Sequence, residues 1–188
     1  MKNITKLFAG VICLMIMVTL TVGCGGTSGS KSKGKCEVFE CVEKINTEGT
    51  IDDINKLIGF DGKVTSQSEA GSSYSWKLYR WDLTEDDAIE VRYNDSLNTI
   101  SVEAIYSRDS LKNKKVNFSN VKTEMKAINS KDGLKYEDVK KIVGGVDGNL
   151  VKKDSTTLTY TWYNAEGGSF TARFSTSSGK CTSYNGVF

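Results

Sequence analysis

The sequence predicts an α+β fold of two tandem repeats, each a helix-loop-helix packed on a four-stranded antiparallel sheet. Three observations carry this: a likeness between the two halves of the chain, paired helix patterns at the head of each half, and short alternating segments after them. A repeat at this scale fixes the assignment of every later element. "EKINTEGTIDDINKLIGFDG" matches "KAINSKDGLKYEDVKKIVGGVDG", with Ile45-Asn46 against Ile128-Asn129, Ile54 against Val139, and Asp61-Gly62 against Asp147-Gly148. Tyr74-x-Trp76 then aligns with Tyr160-x-Trp162, and Val91-Arg92-Tyr93 with Ala172-Arg173-Phe174. The offset drifts from 83 to 86 and back to 81, which places the length changes in turns.

Each half opens with helices. Val38, Cys41, Val42 and Ile45 recur at i, i+3, i+4 and i+7, one apolar stripe of an amphipathic helix. The next helix begins at Thr50, whose hydroxyl is a natural cap, with Asp53 as its reciprocal partner; Ile51, Ile54, Leu57 and Ile58 form its apolar face. Gly59 ends it and Gly144 ends its counterpart, because the residue after a helix often takes the left-handed conformation that glycine adopts cheaply. Val121, Met125 and Ile128, then Val139, Ile142 and Val143, repeat the plan. Strands are expected at Lys63 to Gln67, "YSWKLY", "AIEVRY" and "TISVEAIY", and again at Asn149 to Lys153, "TLTYTW", "SFTARF" and "KCTSYNGVF".

The ends of the chain bear on location. Lys2 and Lys6 precede an apolar run from Leu7 to Leu20, too short for a membrane span and suited to a signal peptide. Thr21-Val22-Gly23-Cys24 resembles a bacterial lipobox, with threonine where leucine is usual. That resemblance implies lipidation of Cys24; an ordinary secretory signal is the alternative. Residues 24–36, rich in Gly, Ser and Lys, form a tether, so the chain divides into a leader at 1–23, the tether, a first repeat at 37–106, a linker at 107–118 and a second repeat at 119–188. The expected location is a cell membrane, lipid-anchored and facing outside the cytoplasm.

Removing residues 1–23 takes the formal charge from +2 to 0, so no basic field favours nucleic acid. The chain has no histidine, the commonest general base and metal ligand near neutral pH. No nucleophile elbow, phosphate loop or paired CxxC is present, and Cys36-x4-Cys41 lacks further ligands at zinc spacing. Asp61-Gly62 and Asp147-Gly148 read as tight turns rather than calcium loops, so no enzyme activity, cofactor or metal site is expected. Three cysteines remain beyond Cys24: Cys41 on its apolar stripe reads first as a buried free thiol, while disulfides of Cys36 with Cys41 or Cys181 stay open.

The stretches "TIDDINKLIG" and "KYEDVKKIVG", the Tyr-x-Trp strands and the order of elements resemble the beta-lactamase inhibitory protein fold. Small envelope assembly lipoproteins of the SmpA/OmlA type are similar to one half. The resemblance covers residues 38–188 and implies helices on one face of the sheet, with the other face gripping an unknown protein partner. Alternation then places Tyr74, Trp76 and Leu78 toward the helices, leaving Tyr79, Trp81, Arg92, Glu103, Ile105, Tyr163 and Arg173 on the contact face. These aromatic residues have a second reading as cover for cross-strand neighbours. In the resembled fold the acidic hairpin carries an aspartate that enters an enzyme site, which implies a partner contact for Asp86 or Asp87; a solvated turn is the other reading. The expected function is a membrane-anchored, non-enzymatic protein-binding lipoprotein, inhibitor-like in one form, with a structural or assembly lipoprotein of the cell envelope as the alternative.

Overall fold

The computed structural model describes residues 33–69, 71–72, 74–111, 116–119, 121–125 and 133–187. The leader, Cys24, the tether as far as residue 32, linker positions 112–115 and the Ile128-Asn129 pair lie outside the described residues. In chain order the elements are α1 (Val38–Lys44), α2 (Ile51–Ile58), β1 (Lys63–Gln67), β2 (Trp76–Asp82), β3 (Ala88–Asn94) and β4 (Thr99–Ile105), then α3 (Val121–Glu124), α4 (Tyr136–Ile142), β5 (Asn149–Lys153), β6 (Thr157–Tyr163), β7 (Ser169–Ser175) and β8 (Cys181–Val187). No helix among them is long and apolar enough to cross a membrane.

The predicted fold class does not hold. The eight strands form a single antiparallel sheet in the order β1 to β8, a mostly β architecture rather than two repeats with a four-stranded sheet each. The sheet is continuous because β4 pairs with β5, Val102 opposite Lys153 and Glu103 opposite Lys152. Left apart, those two strands would each expose a row of backbone donors and acceptors, and the paired positions close part of both edges. Packing follows the pairing: the cluster under α1 and α2 includes Leu150, with Val151, Leu158 and Tyr160 packed against it. A second cluster gathers Val121, Met125, Val139, Val143, Trp162, Phe170 and Phe174.

Local signals in the sequence built the elements as their chemistry requires. Thr50 and Asp53 cap α2 reciprocally, the Asp53 N–H donating to Thr50 Oγ1 at 3.2 Å and the Thr50 N–H to Asp53 Oδ2 at 3.0 Å. Gly59 stands at φ +100° beyond α2, the left-handed position that ends a helix. Val38, Cys41, Val42 and Ile45 of the α1 stripe are all buried. Cys41 is joined to Cys36, with Cα atoms 5.5 Å apart, so the free-thiol reading of Cys41 gives way to a disulfide across the start of α1. Among the described residues, Cys181 is a buried free thiol, and burial raises its pKa.

Two charged groups anchor the sheet. Lys153 reaches the carboxyl end of α1, its Nζ donating to the carbonyls of Ile45 at 2.9 Å and Glu43 at 3.2 Å. A cation there satisfies carbonyls that no helical N–H can reach and opposes the helix dipole. Burial lowers the Lys153 pKa from its ordinary value. Asp154 closes the β5–β6 turn by accepting from the backbone N–H and hydroxyl of both Thr156 and Thr157 at 2.7–2.8 Å. Burial pushes its carboxyl pKa up, and the four hydrogen bonds outweigh that and hold it below the ordinary value. A depressed folded-state pKa contributes stability that is complete above the unfolded value near 3.9 and fades as pH falls through the folded one. The stability difference between the native chain and Asp154→Asn is therefore expected to be full at about pH 6 and to shrink below about pH 4, as urea titrations across that range would show.

Candidate functional site: the helix-free face of the sheet

Register decides which side chains face the helices. Trp81 pairs with Ile89, Tyr79 with Val91, and Val91 with Val102, and all but the half-buried Tyr79 are buried in the helix-packed core. Trp81 is 0% exposed; its Nε1 donates to Asn55 Oδ1 at 3.0 Å and to the Phe60 carbonyl at 3.1 Å. Tyr79 stacks against it, ring centroids 6.0 Å apart. The pair expected on the contact face is thus core. Tyr74 and Trp76, expected in the core, are not: Tyr74 is 66% exposed ahead of β2, and Trp76 and Leu78 point away from the helices.

Strand parity leaves a second set on the opposite face: Trp76, Leu78 and Arg80 of β2, Glu90 and Arg92 of β3, Ser101 and Glu103 of β4, Lys152 of β5, and Thr171 and Arg173 of β7. The Arg92 guanidinium lies over the Trp76 ring, 4.6 Å from its centroid, as diagonal cross-strand neighbours. Arg80 bridges Asp82 at 2.7 Å and Glu90 at 3.0 Å, and its bond to Asp82 raises its pKa. Lys152 pairs with Glu103 at 2.8 Å across the β4–β5 seam. Leu78, Glu90, Arg92, Ser101, Glu103 and Lys152 surround a depression of about 310 Å³. Charged side chains ring the depression beside Leu78, Glu90 held by Arg80 and Glu103 by Lys152.

Arg92 and Arg173 occupy this face, exposed, as the sequence leads one to expect. Asp86 is exposed at the tip of the β2–β3 hairpin. Asp87 is not a free contact: its carboxylate accepts from the Ser110 hydroxyl at 2.6 Å and the Ser107 N–H at 3.1 Å, tying down the segment after β4. Tyr163 is half-buried, its hydroxyl 3.3 Å from that of Tyr106, which packs edge-on against Phe39 of α1. Burial, then the bond to Tyr163, pushes the Tyr106 pKa up. Tyr163 also lines a depression of about 190 Å³ with Arg108, Leu111 and Asn164, away from the Trp76–Arg92 pair. The expected contact set is thereby dispersed. Trp76, Leu78, Arg80, Glu90 and Lys152 were missed, and a signal for them existed. The offset of 81 that aligns Val91 with Ala172 aligns Trp81, not Trp76, with Trp162 when carried back through the hairpin. No family model matches the chain, and no curated protein or solved structure is found to be similar to it.

Proposed function

We propose that this chain is a membrane-anchored, extracytoplasmic lipoprotein that binds a partner protein through the helix-free face of its sheet and performs no catalysis. The observation that carries the reading is the Arg92 guanidinium over the Trp76 ring, beside the depression that Leu78 and Arg92 help to line. Arginine and tryptophan bring large, rigid contact area with a polar handle, and both are enriched among residues that dominate binding energy. The leader pattern and Gly23-Cys24 support anchoring, and the Cys36–Cys41 disulfide suits an oxidising compartment. Inhibition of a secreted or envelope enzyme is one form of such binding, and a standing place in an envelope assembly is the other.

The test is recovery of partners from envelope extract by the native chain and by Trp76→Ala/Arg92→Ala. The double variant is expected to lose a stoichiometric partner while its stability changes by no more than about 1 kcal/mol, about 0.5 kcal/mol for each of two positions on the sheet's open face. A partner retained by the variant would remove the face from the proposal. An envelope structural protein among the captured partners would favour assembly, and an enzyme would favour inhibition.

A further inference from the structure

The two edges of the sheet are unequal. The β1 edge is five residues long and carries Lys63, and a bulge between Val64 and Ser66 breaks its register. Charge and bulges are among the devices by which sheets prevent another strand from adding. The β8 edge has little of this protection. Its sequence, Cys-Thr-Ser-Tyr-Asn-Gly-Val, holds no charged residue, its one bulge lies at its start beside Thr182, and Ser183 to Val187 run in regular register with β7. Tyr184 and Val187 are exposed, at 39% and 69%. The first residue of β8 is covered, the Cys181 N–H donating to the Leu134 carbonyl at 2.7 Å beside a Lys135–Lys180 bridge, while among the described residues no strand lies beyond Ser183–Val187.

We propose that β8 is a homodimerisation edge, pairing antiparallel with β8 of a second copy of this chain. A β8-to-β1 contact is heterologous, closing only as a ring and otherwise propagating, and the blunted β1 edge opposes it; a β8-to-β8 contact is self-complementary and closes as a two-fold dimer. The regular stretch Ser183–Val187 has Asn185 at its centre, so the greatest overlap sets Asn185 opposite Asn185 of the partner copy. That register places Tyr184 opposite Gly186 of the other chain, twice. An aromatic ring covering a cross-strand glycine is a recognised way to stabilise an edge pair. No pair in this register opposes like charges, whose repulsion disfavours cross-strand neighbours. The dimer does not depend on the proposed membrane anchor or on the opposite-face contact surface.

Sedimentation equilibrium of the purified full chain, from about 1 to about 100 µM, spans the range in which a small interface associates. The native chain is expected to shift from one copy to two. Asn185→Lys and Asn185→Asp each place like charges opposite one another and are expected to weaken the dimer about fivefold or more, while an equimolar mixture of the two restores it. Asn185 is exposed, so both variants keep the fold, with circular dichroism as the check. A native chain that stays monomeric throughout, a dimer indifferent to either variant, or a mixture that fails to recover would each overturn the proposal.

Discussion

Trp81→Ala is expected to lower the free energy of unfolding by about 3–5 kcal/mol, the range for deleting a buried large aromatic side chain. The indole is fully buried, and its Nε1 shares Asn55 Oδ1 with the Gly62 N–H, so removal opens a cavity and also leaves a carbonyl and an amide oxygen short of a donor. A domain of this size holds about 5–15 kcal/mol in total, and the variant is left near the threshold of folding. Trp76→Ala, five positions earlier and on the other face, is expected to cost no more than about 1 kcal/mol. Chemical denaturation of the two side by side checks the contrast. Equal losses would mean that the face assignment of β2 is wrong.

Gly62→Ala and Gly148→Ala are expected to cost about 1–3 kcal/mol each, by overpacking rather than by backbone strain. A Cβ on Gly148 would stand 2.7 Å from two ring carbons of Trp162, and one on Gly62 would sit closer still to the Trp81 indole. Neither glycine has a positive φ, so the requirement is space beneath an indole. Gly62→Ala should be the costlier. Combining it with Trp81→Phe, which removes the ring carbons in the way, should cost less than the two single changes added together. Additive losses, measured by thermal unfolding of the four-member cycle, would show that the two residues do not share the space.

What the sequence made legible was local. Caps, stop glycines, strand positions and hairpins follow from hydrogen bonds and alternation within a few residues; Thr50–Asp53 and Gly59 appear where those rules put them, and the eight strands overlap their expected segments, with β2 starting two residues later and ending three residues later than "YSWKLY". What it hid was pairing at a distance. Nothing in "TISVEAIY" or "NLVKK" announces that Glu103 and Lys152 lie side by side, because strand alternation fixes which face a residue takes and not which strand comes next. The candidate surface failed for a narrower reason. "SYSWKLYRW" contains two Tyr-x-Trp pairs five residues apart, an odd spacing, so choosing the first instead of the second turned the whole strand over. The disulfide was undecidable from spacing, since Cys36 and Cys41 are brought within bonding reach by the turn that enters α1.

The bond from Lys153 to the end of α1 spans 108 positions, and it sets an order of events during biosynthesis. Helix α1 has its carboxyl-terminal carbonyls finished only by a residue made long afterwards, as the cluster beneath it awaits Leu150. Such non-local contacts carry a loop-closure cost before they return any stability, which makes folding slow relative to a helical bundle of equal length. A nascent or truncated chain that stops short of β5 therefore presents a first half with an unfilled core and the edge of β4 open, a ready substrate for chaperones and proteases.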